Sequence, residues 1–246
     1  MPDRRFTSLA ALFGAAVFAT SCTYAPDREV TPIPPGVPPD PGEPVPVVDI
    51  NAPGRTAEQL SEWAAPIAEN TGMPRVAVEA YANAAETMRQ TRPECGIAWT
   101  TLAGIGWVES RHGSFGGSSL DENGFALPPI IGVQLDGSDG LEEIPDTDGG
   151  ALDGDPEFDR AVGPMQFIPE TWERYGRDAN GDGVADPNQI DDAAVSAARL
   201  LCDFDRDLTV AEDWQAAVLQ YNASNEYVRS VRDAAAAYSV QTNAPR

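Results

Sequence analysis

Two stretches of the chain carry side chains whose types and spacing suit chemistry. The first centres on Glu109, which follows Trp99, Leu102 and Gly106 at intervals of three, four and three residues. That spacing puts a carboxyl group on an apolar helical stripe, in the last turn before Gly113. Burial and the negative end of the helix dipole both disfavour an ionised carboxylate. A general acid at neutral pH needs that bias, since an ordinary glutamate has already lost its proton. The same spacing also fits a glutamate held by a buried arginine or hydroxyl, or one at the solvent edge of the stripe. The second stretch is Asp178-Ala-Asn180-Gly-Asp182-Gly183-Val184-Ala-Asp186. It offers oxygens at positions 1, 3 and 5, glycine at 6, a backbone carbonyl at 7 and an acid at 9, which is the pattern of a calcium loop. Position 12, normally a bidentate glutamate, is Gln189, so closure would fall to Asp191 or Asp192. An Asp/Asn/Gly turn without metal is the competing reading.

Lesser signals surround these. Gly163-Pro164-Met165-Gln166-Phe167 reads as a tight turn before a helix opened by Pro169, and Tyr221-Asn222 ends a later helix. The single histidine, His112, reads as a solvated loop residue. Composition removes other chemistries. All 16 basic residues are arginine, so there is no lysine for a phosphate-binding loop or a Schiff base. One histidine cannot supply a His-Glu-x-x-His zinc site. A net charge of −23 argues against nucleic acid as a partner, because nothing would neutralise a row of phosphates.

The elements that must position these residues read as mostly helical. Thr56 and Gln59 suggest a capping box, with Pro66 kinking or splitting the segment behind it. Pro74 opens a second helix carrying Val76, Tyr81, Ala84 and Met88. The helix of Glu109 is third. Asp191 is a candidate cap for a fourth with Ala194, Val195, Ala198 and Leu201 on one face. Thr209 with Glu212 suggests the cap of a fifth, and a sixth runs from about Asn225 to Tyr238. No long β-branched alternation is present, so any sheet should be small. Residues 136–159 hold ten acidic side chains and no basic one, a loop long enough to be either functional or disordered.

The N-terminus has another character. Arg4 and Arg5 precede an apolar run from Phe6 to Phe18, suited to an export signal but short for a membrane span. The run leads into Ala19-Thr20-Ser21-Cys22, which resembles a bacterial lipobox with Cys22 as the lipidated residue; an ordinary signal peptidase would accept the same bond. Ten prolines between Pro26 and Pro53 predict an extended spacer over 23–54. The expected organisation is a signal segment 1–22, a Pro-rich tether 23–54 and one catalytic domain 55–246, exported and membrane-anchored through Cys22. With Cys22 lipidated, Cys95 and Cys202 remain as an even pair. In an oxidising compartment that favours a disulfide over two separate buried thiols.

From Cys95 to Tyr238 the chain resembles the membrane-bound lytic murein transglycosylase B family. The resemblance is carried by Cys95-Gly-Ile-Ala-Trp99, Trp107-Val-Glu109-Ser110-Arg-His-Gly113, Ala161-Val-Gly-Pro-Met-Gln-Phe-Ile-Pro-Glu-Thr-Trp172, the Asp178 loop with Asp192-Ala193, and Gln220-Tyr-Asn-Ala-Ser-Asn225. It implies a lysozyme-like, mainly α domain with a minimal sheet, acting on peptidoglycan glycan strands. Glu109 would be the single general acid and base, and the muramoyl 6-hydroxyl would attack its own anomeric carbon to leave a 1,6-anhydro end. Ser110 would orient Glu109 beside the substrate, Gln166 would contact the glycan, and Tyr221 with Asn222 would line the cleft. Calcium would be held by Asp178, Asn180, Asp182, the Val184 carbonyl and Asp192. Two other readings compete: a muramidase that hydrolyses with water held by an acid of 136–159, and a wall-binding lipoprotein without turnover.

Overall fold

The residues described in a computed structural model, 37–245, are organised around one helix. That helix, α3 (Trp99–Ser110), is buried on every face from Trp99 to Gly106. A helix apolar all round belongs in an interior, so the one-sided stripe expected from Trp99, Leu102 and Gly106 is only part of its buried surface. Two glycines let neighbours close in. A Cβ on Gly104 would lie 2.6 Å from the Val231 carbonyl of α7 (Asn225–Ser239), and one on Gly106 would lie 2.0 Å from the hydroxyl of Tyr81 on α2 (Arg75–Thr91). Solvent is reached again only at Trp107–Glu109. The helix therefore delivers Glu109 to the surface of the core.

Around it stand α1 (Ser61–Thr71), α4 (Pro169–Tyr175), α5 (Ile190–Leu201) and α6 (Ala211–Tyr221). Among the described residues the strands form two antiparallel pairs, β1 (Ser119–Leu120) with β2 (Ala126–Leu127) and β3 (Ile131–Gln134) with β4 (Arg160–Val162). The mainly helical class with a minimal sheet is thus what the chain adopts. Helix α5 packs on α2, and Arg55 fastens the two. Its guanidinium donates to both oxygens of buried Asp191, at 2.8 and 3.0 Å, and to Glu79 on α2. Cys95, ahead of α3, and Cys202, at the end of α5, form a disulfide with Cα atoms 5.4 Å apart.

Several local expectations differ from what forms. Thr56 begins a 3-10 turn and donates to Asn83, while Gln59 pairs with the backbone of Asp49, so no capping box exists. Helix α1 runs through Pro66; the break falls earlier, where the 3-10 turn meets Ser61. Helix α5 is capped by Gln189, whose side chain accepts from the Asp192 amide, because Asp191 is engaged by Arg55. Val210 precedes α6, and the Thr209 hydroxyl turns instead to Asp207.

The larger difference is the Pro-rich segment. Residues 1–36, with Cys22, lie outside the described residues, but 37–54 are not a free spacer. Val37 and Val48 are buried in the helical core. Trp99 Nε1 donates to the Glu43 carbonyl at 3.1 Å, Thr100 to that of Asp40, and Gln90 to that of Val48 at 2.7 Å. A proline-rich strand lacks many N–H groups and keeps its carbonyls, so it can lie across helices as an acceptor for side-chain donors.

The acidic stretch is also ordered. Asp146 accepts from the amides of Asp148, Gly149 and Gly150, Asp148 from those of Ala151 and Leu152, and Asp155 from those of Glu157 and Phe158. Carboxylates here replace the ladder partners that a glycine-rich extension of the β3–β4 hairpin does not provide.

Two outcomes are expected. Gly106→Ala should lower stability by about 1–3 kcal/mol or more through overpacking, and adding Tyr81→Phe should restore part of it, as read by denaturant unfolding. A chain starting at residue 55 should unfold at lower temperature than one starting at residue 37; equal melting temperatures would show that the strap contributes nothing.

Candidate active site

Helix α3 ends abruptly, through three successive left-handed residues, Arg111, His112 and Gly113, with φ of 54°, 58° and 80°. This turn folds the chain back beneath the helix and carries the His112 ring into the core, not into solvent as its loop position suggests. The ring is buried, with Nδ1 3.1 Å from the Tyr81 hydroxyl and Nε2 2.8 Å from that of Tyr238. Burial, aided by the Arg111 charge, pushes its pKa down to about 3. The imidazole is therefore neutral near pH 7. It pins the turn that follows Glu109.

Ser110 has a different job from the one expected. It is buried; its Oγ donates to the Pro164 carbonyl at 2.6 Å and accepts from the Gly113 amide at 2.7 Å. No hydrogen bond joins it to Glu109. It instead clamps the 163–166 turn to the end of α3. The other side of that turn is fixed by Gly163, where a Cβ would lie 1.8 Å from the Pro187 carbonyl. Gln166 sits in the turn with φ of 50° and donates Nε2 to the Gly163 carbonyl at 2.9 Å.

Glu109 itself is met from α7. The Tyr227 hydroxyl donates to Glu109 Oε1 at 2.5 Å. The Tyr227 ring is parallel to that of Tyr221, 7° apart in plane and 6.4 Å between centroids, and the Tyr221 hydroxyl donates to the Met165 carbonyl at 2.8 Å. One connected series therefore runs from the 163–166 turn through Tyr221 and Tyr227 to the acid. Burial holds both phenols well above the usual range, so they stay donors. Asn222, the residue after Tyr221, is exposed at the end of α6 in extended backbone.

Burial raises the Glu109 carboxyl to about 7, and the Tyr227 hydrogen bond works against that rise. No charged neighbour, acidic or basic, contributes among the described residues. A carboxylate near neutrality with a single hydroxyl donor can give a proton and take one back. Tyr227 was not found from sequence. It lies 118 residues from Glu109, and its position three residues after the Ser224 cap of α7 says only that it is in a first turn.

The Asp178 loop is held by its own acceptors. Asp178 takes the amides of Gly181 and Gly183, Asn180 that of Asp182, and Asp182 that of Val184. Asp192, fully buried on α5, takes the amides of Ala179, Asn180 and Asp186. Its pKa is pushed up to about 7, chiefly by burial, with the Asp178 charge adding to the rise. Gln189 is committed to capping α5 and to the Asn123 carbonyl, and Asp191 to Arg55. That leaves Asp178, Asn180, Asp182, the Val184 carbonyl and Asp192, an all-oxygen set that includes a buried carboxylate with no cationic partner. The chemistry of the set fits a hard divalent cation. Among the described residues, the group of three or more acidic side chains whose ligand oxygens all lie within 4.8 Å of one another is Asp146, Asp148 and Asp159, so Asp178, Asp182 and Asp192 would have to draw in around an ion.

The signs of these shifts give an expected result. A raised carboxyl pKa means that ionisation opposes folding, starting above the ordinary range near 4 and growing until about 7. Glu109→Gln should therefore stabilise the protein by about 1–3 kcal/mol at pH 8 and hardly change it at pH 4. The Glu109 carboxyl carbon should titrate near 7 by NMR. Tyr227→Phe should move that midpoint upward, because it removes a donor that favours the charged form; a downward move would contradict the assignment.

Comparison with known proteins bears on the same region. Residues 158–216, about a quarter of the chain, match the family model described as Transglycosylase SLT domain. The span takes in β4, the 163–166 turn, α4, the Asp178 loop, α5 and half of α6, while Glu109, Tyr221 and Tyr227 lie outside it. No curated protein and no solved structure matches. The match supports a lytic transglycosylase family and a glycan-cleaving enzyme in general, and the helical architecture with its small sheets is consistent with a lysozyme-like fold.

Proposed function

We propose that this chain is a peptidoglycan lytic transglycosylase of the membrane-bound B type. It cleaves the bond between N-acetylmuramic acid and N-acetylglucosamine and leaves 1,6-anhydromuramoyl ends. The observation that carries the reading is a lone carboxyl group near neutrality with one phenolic donor and no second carboxylate acting on it.

Glu109, protonated, gives its proton to the glycosidic oxygen as the bond from that oxygen to the anomeric carbon breaks. The carboxylate left behind is stabilised by the Tyr227 hydroxyl. It then takes the proton of the muramoyl 6-hydroxyl as that oxygen bonds to the anomeric carbon. Glu109 ends as it began, and no water is consumed. An attacking group already tethered to the ring has a high effective concentration, so a second carboxylate to position water is unnecessary. Gln166, Tyr221 and Asn222 line the glycan cleft. Ser110 acts at one remove, through the turn it clamps. Calcium at Asp178, Asn180, Asp182, Val184 and Asp192 would supply charge that lets the loop close on α5. Export and a lipid at Cys22 complete the reading, on the sequence of the first 22 residues.

The hydrolytic alternative, with water held by one of the ten acids of 136–159, loses four candidates, since Asp146, Asp148, Asp155 and Asp159 accept from their own segment's amides or hydroxyls or from Arg160. A binder without turnover has no use for a protonated glutamate facing a phenol.

Mass spectrometry of peptidoglycan digested by the full chain with calcium should show ends lighter by one water. Glu109→Gln should reduce their formation by about three orders of magnitude. Ordinary reducing ends would instead make the enzyme a hydrolase. Calcium at about one hundred times its dissociation constant should add about 2.7 kcal/mol of stability, and Asp182→Asn should reduce that gain; a melting curve unmoved by calcium would remove the loop from the metal assignment.

A further inference from the structure

Beside the Tyr221 ring lies a cavity of about 350 Å³ that the cleavage chemistry does not use. Gln166 and Tyr221 form its wall toward the site just described, and Glu170, Arg174, Tyr175 and Gln220 line the rest. Glu170 and Arg174 are four residues apart on α4, hence on one face, the spacing at which such pairs ordinarily meet. They do not meet here. Arg174 gives one nitrogen, Nη2, to Asp203 at 3.0 Å, and its guanidinium carbon stands 4.9 Å from the Tyr175 ring centre. Glu170 is exposed and has no hydrogen-bond partner among the described residues. The cavity is thus flanked by a cation with unused donors and an anion with unused acceptors.

Those two charges select a chemical class. A purely anionic ligand would be repelled by Glu170, and a neutral sugar has no need of both. A head group with ammonium and carboxylate on the same carbon satisfies each. Resting on the glycan-cleaving reading above, we infer that this cavity binds the zwitterionic end of a diamino diacid in the peptide stem of the substrate. Stems hang from the muramoyl unit, the unit at Glu109. Their third residue lies about 10 Å out when extended, a distance compatible with passing the Tyr227 and Tyr221 rings. The site also answers an electrostatic problem. A chain of net charge −23 repels stems that carry carboxylates, and Arg174 offsets that where the stem arrives.

The test uses the full chain and three substrates: glycan strands with diamino-diacid stems, strands with lysine stems, and strands stripped of stems by an amidase. The kcat/KM should be about tenfold higher for the first, with the difference in KM. Arg174→Gln and Glu170→Gln should each remove that preference and leave the rate on stripped strands unchanged. Glu170 has no structural partner, so its variant folds whatever becomes of Arg174. Equal losses on stripped strands, or no loss on any substrate, would overturn the assignment. If the parent cleaves none of the three, the proposed function has failed, and calorimetric titration with free stem peptide decides the cavity separately. Binding abolished by either substitution supports it, and no binding to the parent overturns it.

Discussion

The rest of the site depends on the hydrogen bond between Tyr227 and Glu109. Among the described residues it is the one hydrogen bond of a carboxyl group that burial keeps near neutrality, and it joins the end of α3 to the first turn of α7. A cation in its place would drive the acid fully ionised, and an apolar neighbour would leave the carboxylate unsupported after proton transfer. A phenol that remains protonated does neither. It permits both charge states and fixes the oxygen between them, which is the preorganisation that makes electrostatic support effective.

What aims that pair is a set of clamps acting on backbone. Ser110 holds Pro164, Tyr221 holds Met165, and Gly163 admits Pro187 at a distance that no side chain would allow. His112 closes the other end, with both ring nitrogens bonded and its charge suppressed. Three polar side chains near the acid thus act on the shape of two turns, 163–166 and 111–113. Such groups are easily mistaken for substrate ligands, because they cluster where the substrate must go.

That distinction marks how far the sequence could be read. The sequence located α2, α3, α5, α6 and α7, and the Glu109 spacing pointed to an acid at the edge of a core. Periodicity describes one helix at a time, so it could not pair Tyr227 with Glu109 across 118 residues. Nor could it tell that Ser110 faces Pro164. The caps expected at Thr56 and Asp191 do not form because each side chain has a tertiary partner, Asn83 and Arg55, while the Thr209 hydroxyl turns to its near neighbour Asp207. His112 was misplaced because a left-handed non-glycine turn leaves little trace in composition. The acids of 136–159 were visible, but their role as amide acceptors emerges only once the backbone is folded.

The strap formed by residues 37–54 changes the arithmetic of anchoring. A spacer over 23–54 would let the enzyme roam more than 100 Å from a lipid at Cys22. With 37–54 bound to the helices, the stretch from such a lipid to the first described residue has a contour of at most roughly 45–50 Å. An enzyme so anchored would work in the layer of wall nearest the membrane, and its local concentration there would be set by the anchor, not by diffusion through the wall.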